Sequence, residues 1–455
     1  MAYCKNQPNL FRCQQVTQLG FPILFIAVPL VYYPDLYAFT LLPKRLLIQI
    51  VLTIIALFWI LDWHGNFSLS FRDTRFKLPI STYLLFSTIA LSQSVNPVVG
   101  LVNLAHQLTF AFLFFLVLNN IKEKTIPSLI RISSGVGILV STIGILEAQG
   151  IDTELLPISS GRPSATFGYR NFAASYLIMN IPLALALWIR SRDLKDLCLG
   201  TISTGTMIVF LVYTRSRGAW IGLAGSTLIV TLLVIYAKWR WKTTLNLPKF
   251  PFPLRPRVLA SIPVMILSLF LSMSPVKISF HDSQAIDEKK IDFLEALTSV
   301  VNPGADRGRL LMWHHTLKIV SDNFLFGVGP GNWRYVYPRY DRGDMLTPNS
   351  APERPHNEIL WIASEIGLLG LGSYLWILYV AATTVVRILR NPKKPENRLF
   401  AIAFGTSLLA MLGHGLLSFP RELAETSFLF WTGLGILARL DASAIDPFKK
   451  LPKKS

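Results

Sequence analysis

The chain has 455 residues, of which 52% are hydrophobic and only 15% charged, and its formal charge is +18. The apolar residues come in repeated runs long enough to cross about 30 Å of hydrocarbon, which excludes a soluble globular protein. The basic residues follow the loops between those runs instead of forming one patch, so the charge reads as membrane orientation and no nucleic-acid partner is expected.

In chain order the runs fall at about 21–39, 45–61, 78–93, 100–118, 129–147, 171–190, 198–214, 218–237, 257–273, 357–386, 399–417 and 425–440. All are expected to be α-helices, because lipid offers no partner for a free backbone group. The fold class is therefore an all-α polytopic membrane bundle of about 12 transmembrane helices, with a periplasmic loop domain of short helices. Residues 1–273 hold helices 1–9, 274–356 the loop domain, 357–440 helices 10–12, and 441–455 a basic cytoplasmic tail.

Alternate loops carry the positive charge: Arg72, Arg75 and Lys77; Lys122, Lys124 and Arg131; Arg190, Arg192 and Lys195; six basic residues from Lys238 to Arg257; five from Arg387 to Arg398. The short loops between them, such as "SQSVNPVVG", are nearly bare. The positive-inside rule then puts both termini in the cytoplasm and residues 274–356 in the periplasm. The first run lacks a small-residue cleavage site and reads as a retained anchor. Cys4, Cys13 and Cys198 all fall on the reducing side, so no disulfide framework is implied. The connectors "KTTLNLPKFPFPLRPR" and "RNPKKPENR" read as cytoplasmic segments drawn to anionic headgroups.

The stretch "VYTRSRGAW" breaks this pattern by placing Arg215 and Arg217 in a very short outer turn. One reading is a pair of arginines snorkelling at a helix end. The other joins them to Arg309, Arg334 and Arg339 on the same side, as guanidiniums gripping a diphosphate whose lipid tail stays in the bilayer. In the outer segment, "DEKKIDFLEALTSV" and "DRGRLLMWHHTLKIV" have helical spacing; Leu310, Trp313, Leu317 and Val320 make one apolar face, and Asp306 is placed to start the turn. These would be short amphipathic helices lying on the membrane face of the bundle.

His281, His314, His315 and His356 all lie in that outer segment. Their spacing matches no zinc pattern, so no metal ligands are assigned. His356 stands where the tenth helix begins. It is either a capping histidine or a base near neutral pH, with the helix N-terminus disfavouring imidazolium and Glu358 pulling the other way. "GVGPGN" follows a helix where a nucleotide fingerprint would follow a strand, and reads as a tight turn with backbone N–H groups available to a phosphate.

"TRSRGAW", "GRLLMW", "FGVGPGNW" and "RPHNEILWIASEIGLLGLGSYL", together with "ATFGYRNFAASYL" upstream, resemble the O-antigen ligase and polymerase superfamily from about Ala165 to Tyr374. The resemblance implies a metal-independent glycosyltransferase of the GT-C type without cofactors, set in the bacterial inner membrane with its site facing the periplasm. Its donor would be a glycan on undecaprenyl diphosphate. Its acceptor would be lipid A core in a ligase, another glycan repeat in a polymerase, or a protein hydroxyl in an O-glycosylase, with ligase favoured. By the same resemblance Arg217 and Arg309 would hold the diphosphate, Arg215 less securely, and His356 would be the base. Arg334, Arg339, Asn357 and Glu358 are further candidate substrate contacts, and membrane lipids are partners. A small-solute or inorganic-carbon transporter would instead gather ionisable groups at the bilayer midplane, where His106, Glu365 and His414 are the candidates. A scaffold would leave the arginines and His356 without a reason.

Overall fold

A computed structural model of the chain describes residues 8–36, 38–66, 72–151, 163–191, 193–243, 261, 262, 264, 268, 308–343, 345, 351–391 and 394–442. Every regular element among them is helical, as backbone pairing in lipid requires. Ahead of the outer segment, the α-helices whose bounds fall among the described residues are α1 (Pro8–Leu30), α2 (Leu41–Asn66), α3 (Lys77–Ala90), α4 (Pro97–Asn120), α5 (Ile126–Ala148), α6 (Arg170–Arg190), α7 (Leu194–Tyr213) and α8 (Arg217–Trp241). The described part of that segment holds α9 (Arg309–Asp322) and a short α10 (Trp333–Val336). The chain closes with α11 (Glu358–Arg390), α12 (Glu396–Gly415) and α13 (Ala424–Ala442). Among the described residues, α2, α4 to α8, α11 and α12 contain stretches long and apolar enough to cross a membrane. The expected ninth run lies almost wholly outside the described residues, as do His281, Asp306 and the helix expected at 287–300.

Two expected spans change. The run placed at about 21–39 belongs to a helix that starts earlier and stops at Leu30. Pro34 disfavours the helical region for Tyr33, whose N–H bonds instead to the Phe39 carbonyl at 2.8 Å. The tenth run is not one helix. Gly367 takes φ 69 and ψ −177 and divides α11 into 358–366 and 368–390.

The centre of the bundle is α13, buried on every side over residues 424–438, with α6 beside it. Small residues make the close crossings, as is usual where lipid supplies no drive between helices. A Cβ on Gly435 of α13 would stand 3.1 Å from the Phe114 carbonyl of α4. One on Gly222 of α8 would stand 2.7 Å from the Ala410 carbonyl of α12.

The alternation read from charge is present as two ends. At one, Arg131 pairs with Asp196, Lys394 with Glu123 and Arg387 with Asp441. At the other lie Lys44, Arg217, the described outer segment and the turn between α12 and α13.

Candidate active site

Arg215 and Arg217 flank the start of α8. Thr214 ends α7, Arg215 takes a left-handed φ of 52, Ser216 is the N-cap and Arg217 is the first helical residue. Both arginines are half-buried. The next residue, Gly218, leans on the last turn of α12: a Cβ there would lie 3.1 Å from His414 Nδ1 and 3.2 Å from Leu417 Cβ. His414 is 1% exposed and lies within electrostatic reach of Arg309. Its neighbour Gly415 faces α11, since a Cβ there would be 2.7 Å from Glu358 Oε2. The C-terminal turn of α12 is thus a floor shared by the N-termini of α8 and α11.

Arg309 opens α9, after Gly308 at φ 74. Trp313, one helical turn on and on the same face, donates from Nε1 to the Pro355 carbonyl at 2.8 Å. That bond holds the residue just before His356. His356 is half-buried with a left-handed φ of 53, and its ring meets Phe419 edge to face at 5.1 Å. A non-glycine residue in this region carries a conformational cost. Asn357 caps α11, its Oδ1 accepting from the Leu360 N–H at 3.1 Å. Glu358 is buried and accepts from the Arg421 N–H at 2.9 Å, with the Arg421 guanidinium 3.5 Å away.

Arg217, Arg309, His356, Asn357 and Glu358 are therefore gathered around the tip of α12, with Arg215 adjoining. Arg334 and Arg339 are not joined to them by any described contact. Both are exposed, and Arg334 lies over its neighbour Tyr335, 4.8 Å from the ring centre.

The glycine turn has a different task from phosphate binding. Gly327, Gly329 and Gly331 all have positive φ, and the turn docks on the break in α11. Val328 N–H and Gly329 N–H bond to the carbonyls of Ser364 and Glu365, and Leu368 N–H bonds to the Phe324 carbonyl, each at 2.9 Å. Trp333 N–H donates to Glu365 Oε1 at 3.3 Å. The groups freed by the break are thus satisfied by the turn. A side chain on Gly367 would strike the Leu325 carbonyl.

The face of α9 that packs on the protein is not its apolar stripe. Met312, His315, Thr316 and Ile319 are buried, whereas Leu310 and Leu317 are 64% and 53% exposed. The inner face is chosen by polar fit as well as by apolarity: Trp333 Nε1 donates to Thr316 Oγ1 at 3.2 Å, and His315 Nδ1 lies 3.3 Å from the Tyr337 hydroxyl.

The sequence reading missed a half-buried ionic lattice beside the site. Arg354 bonds Glu422 through Nε and, at 2.8 Å, through Nη2. Arg45 of α2 donates to the Glu422 carbonyl at 3.1 Å, and Arg421 Nη1 to the Tyr83 hydroxyl at 3.2 Å. Burial alone would raise the Glu422 carboxyl, but the Arg354 guanidinium beside it holds it below its ordinary range. The signal was available: Arg421, like Arg217, is a cation in a short loop on the side expected to be bare. Among the described residues no three His, Cys, Asp or Glu side chains are gathered to hold a metal ion.

Residues 202–375, from α7 through the middle of α11, match the O-antigen ligase family. The match covers less than half of the chain and supports a place in the O-antigen ligase and polymerase superfamily. No curated protein matches it. The matched stretch contains Arg215, Arg217, Arg309, His356 and Gly367, while Arg45, Arg421 and Glu422 lie outside it. The match supports an activity of the O-antigen ligase or polymerase type, and the long apolar helices mark a multi-pass membrane protein.

Proposed function

We propose that this member of the superfamily transfers a glycan from undecaprenyl diphosphate to an acceptor hydroxyl at the periplasmic face of the bacterial inner membrane, with lipid A core as acceptor. The observation that carries this reading is the meeting of two helix N-termini, bearing Arg217 and His356, over the tip of α12, with Arg309 within reach. Helix N-termini and guanidiniums both favour an anion. The positive-inside rule turns this end of the bundle toward the periplasm.

In the reaction the acceptor oxygen attacks the anomeric carbon, and the bond from that carbon to the diphosphate oxygen breaks with its electron pair. His356 takes the hydroxyl proton, and Arg217 and Arg309, flanked by Arg215, stabilise the departing diphosphate. Diphosphate is already a good leaving group, so no general acid and no metal is called for. Phe419 and the Trp313 bond to Pro355 set the imidazole's place. Arg334 and Arg339 stand further out, where a long glycan would pass.

The helix break at Gly367 favours a transporter, since transporters build ion sites at such breaks. Here the freed backbone groups are bonded to 324–329, and Glu365 accepts from Trp333, which leaves the break a structural seat.

The test is a gel of surface glycans from a strain lacking this protein. A ligase leaves lipid-linked polymer unattached to core. Core bearing single repeats would replace ligase with polymerase, and unchanged glycans with altered bicarbonate uptake would replace both with transport.

A further inference from the structure

α9 carries three stripes, each at helical spacing. Met312, His315, Thr316 and Ile319 face the protein and are buried. His314, Lys318 and Ser321 make a polar, exposed stripe. Leu310, Trp313, Leu317 and Val320 make an apolar stripe, with Leu310 and Leu317 64% and 53% exposed and Trp313 and Val320 half-buried. A helix packed on protein and otherwise in water needs only the first two stripes. The third calls for an apolar medium on one flank.

The apolar stripe continues past the helix end into Phe324 and Leu325, 55% and 51% exposed, and the backbone of these residues fixes their depth. Leu368 N–H bonds to the Phe324 carbonyl at 2.9 Å, and the Leu325 carbonyl abuts Gly367. The stretch 368–390 ends in Arg387 and Arg390 and is about 34 Å long at the usual rise, enough by itself to cross about 30 Å of hydrocarbon. Gly367 therefore lies at the hydrocarbon boundary on the Arg217 side. Leu369 of α11, 39% exposed, extends the same apolar surface downward.

We infer that α9 and the turn after it lie in the plane of the membrane interface, with the upper acyl chains of the Arg217-side leaflet as the partner of Leu310, Leu317, Phe324 and Leu325. Trp313 sits at the boundary, its ring beside the apolar stripe and its N–H on the Pro355 carbonyl, an amphipathic position that suits tryptophan. Arg309, at the edge of the stripe, is held at headgroup height, where the phosphates of a lipid travel. The inference stands on the multi-pass fold and does not depend on glycan transfer.

The experiment uses the full chain with Cys4, Cys13 and Cys198 replaced by serine. Single cysteines are placed by Leu317→Cys, Phe324→Cys and Ser321→Cys, labelled with an environment-sensitive fluorophore, and reconstituted into phosphatidylcholine and phosphatidylglycerol vesicles. Lipids with a nitroxide high on the acyl chain should quench the labels at 317 and 324 several-fold more than the label at 321, and aqueous iodide should show the reverse order. Iodide quenching at 317 and 324 equal to that at 321 would place the stripe in water. Quenching there by neither agent would place it under another part of the protein. Either result overturns the inference, and glycan transfer enters neither readout.

Discussion

At the end of the bundle away from Arg217, Arg131, Arg387 and Lys394 reach their carboxylates across helix ends with side chains 33% to 43% exposed. At the Arg217 end, the basic members of the pairs Lys44–Glu425, Arg421–Glu358 and Arg354–Glu422 are only 0% to 24% exposed. Water reaches the basic member of each pair in the first set, though Asp196 and Asp441 are only 12% exposed, and screening from that side leaves each pair contributing about 0–1 kcal/mol. The second set is withdrawn from water, where charge is costly unless its position is used. One end carries its charge in pairs open to water, and the other uses charge to hold shape around the stretch that matches the O-antigen ligase family.

That contrast predicts the largest losses at the arginine and histidine positions. His356→Ala should lower turnover by roughly 100- to 10,000-fold, the range for a general base, while binding of the undecaprenyl-diphosphate donor persists. Arg217→Lys should cost nearly as much as Arg217→Ala, roughly 100- to 1,000-fold, because lysine keeps the charge and loses the two-pronged grip. Purified enzyme with lipid-linked donor and acceptor, with donor binding measured separately, checks both. Near-normal transfer by the lysine variant would return Arg217 to a snorkelling role.

A smaller effect belongs to the Arg354–Glu422 pair, which ties the His356 turn to the turn between α12 and α13. Glu422→Gln should lower stability by about 2 kcal/mol, between the roughly 0–1 of an exposed pair and the 3–5 of a buried one. The sign with pH follows from the depressed carboxyl. Its stabilisation is complete above the ordinary value of 4.5 and is lost as pH falls through the lower folded value. Wild type should therefore lose this increment on acidification, and the glutamine variant, having none to lose, should show a flatter acid limb. Thermal unfolding in detergent over that range decides, and parallel acid limbs would mean the pair does not hold the turn.

What the sequence made legible was local. Apolar runs gave most helices to within a few residues, and the loop charges gave their alternation. "SRG", "GRLLMW" and "PHNE" marked residues that the fold does gather. Contacts distant along the chain were not legible. Asn332 bonds the backbone of Asn96 at 2.7 Å across 236 positions, and the seat of the glycine turn at Gly367 lies inside what reads as an uninterrupted apolar run. Periodicity found the apolar stripe of α9 but not the second face that packs on the protein. The inward face was decided by Thr316 and His315 meeting Trp333 and Tyr337, polar pairings that no hydropathy pattern encodes.

The smallest effect should come from the far end, where the contrast is easiest to break. Arg131 is 43% exposed and reaches Asp196 through Nε at 2.6 Å and Nη2 at 2.9 Å, a geometry as good as any at the opposite end. If good geometry alone made a pair important, Arg131→Gln should hurt as much as loss of the Arg354–Glu422 link. The exposure of the guanidinium argues otherwise, because water and salt screen the pair from the arginine side, while the Asp196 carboxylate is itself 12% exposed. Arg131→Gln should therefore change stability by about 1 kcal/mol or less, and leave transfer per folded molecule unchanged. One cation among many also leaves orientation intact, since the positive-inside bias is a sum over loops. Thermal unfolding at low and high salt, with transfer measured on the same preparation, tests this. A salt-independent loss as large as that of Glu422→Gln would show that the two ends are built alike, and would remove burial as the reason for treating the Arg217 end as the working one.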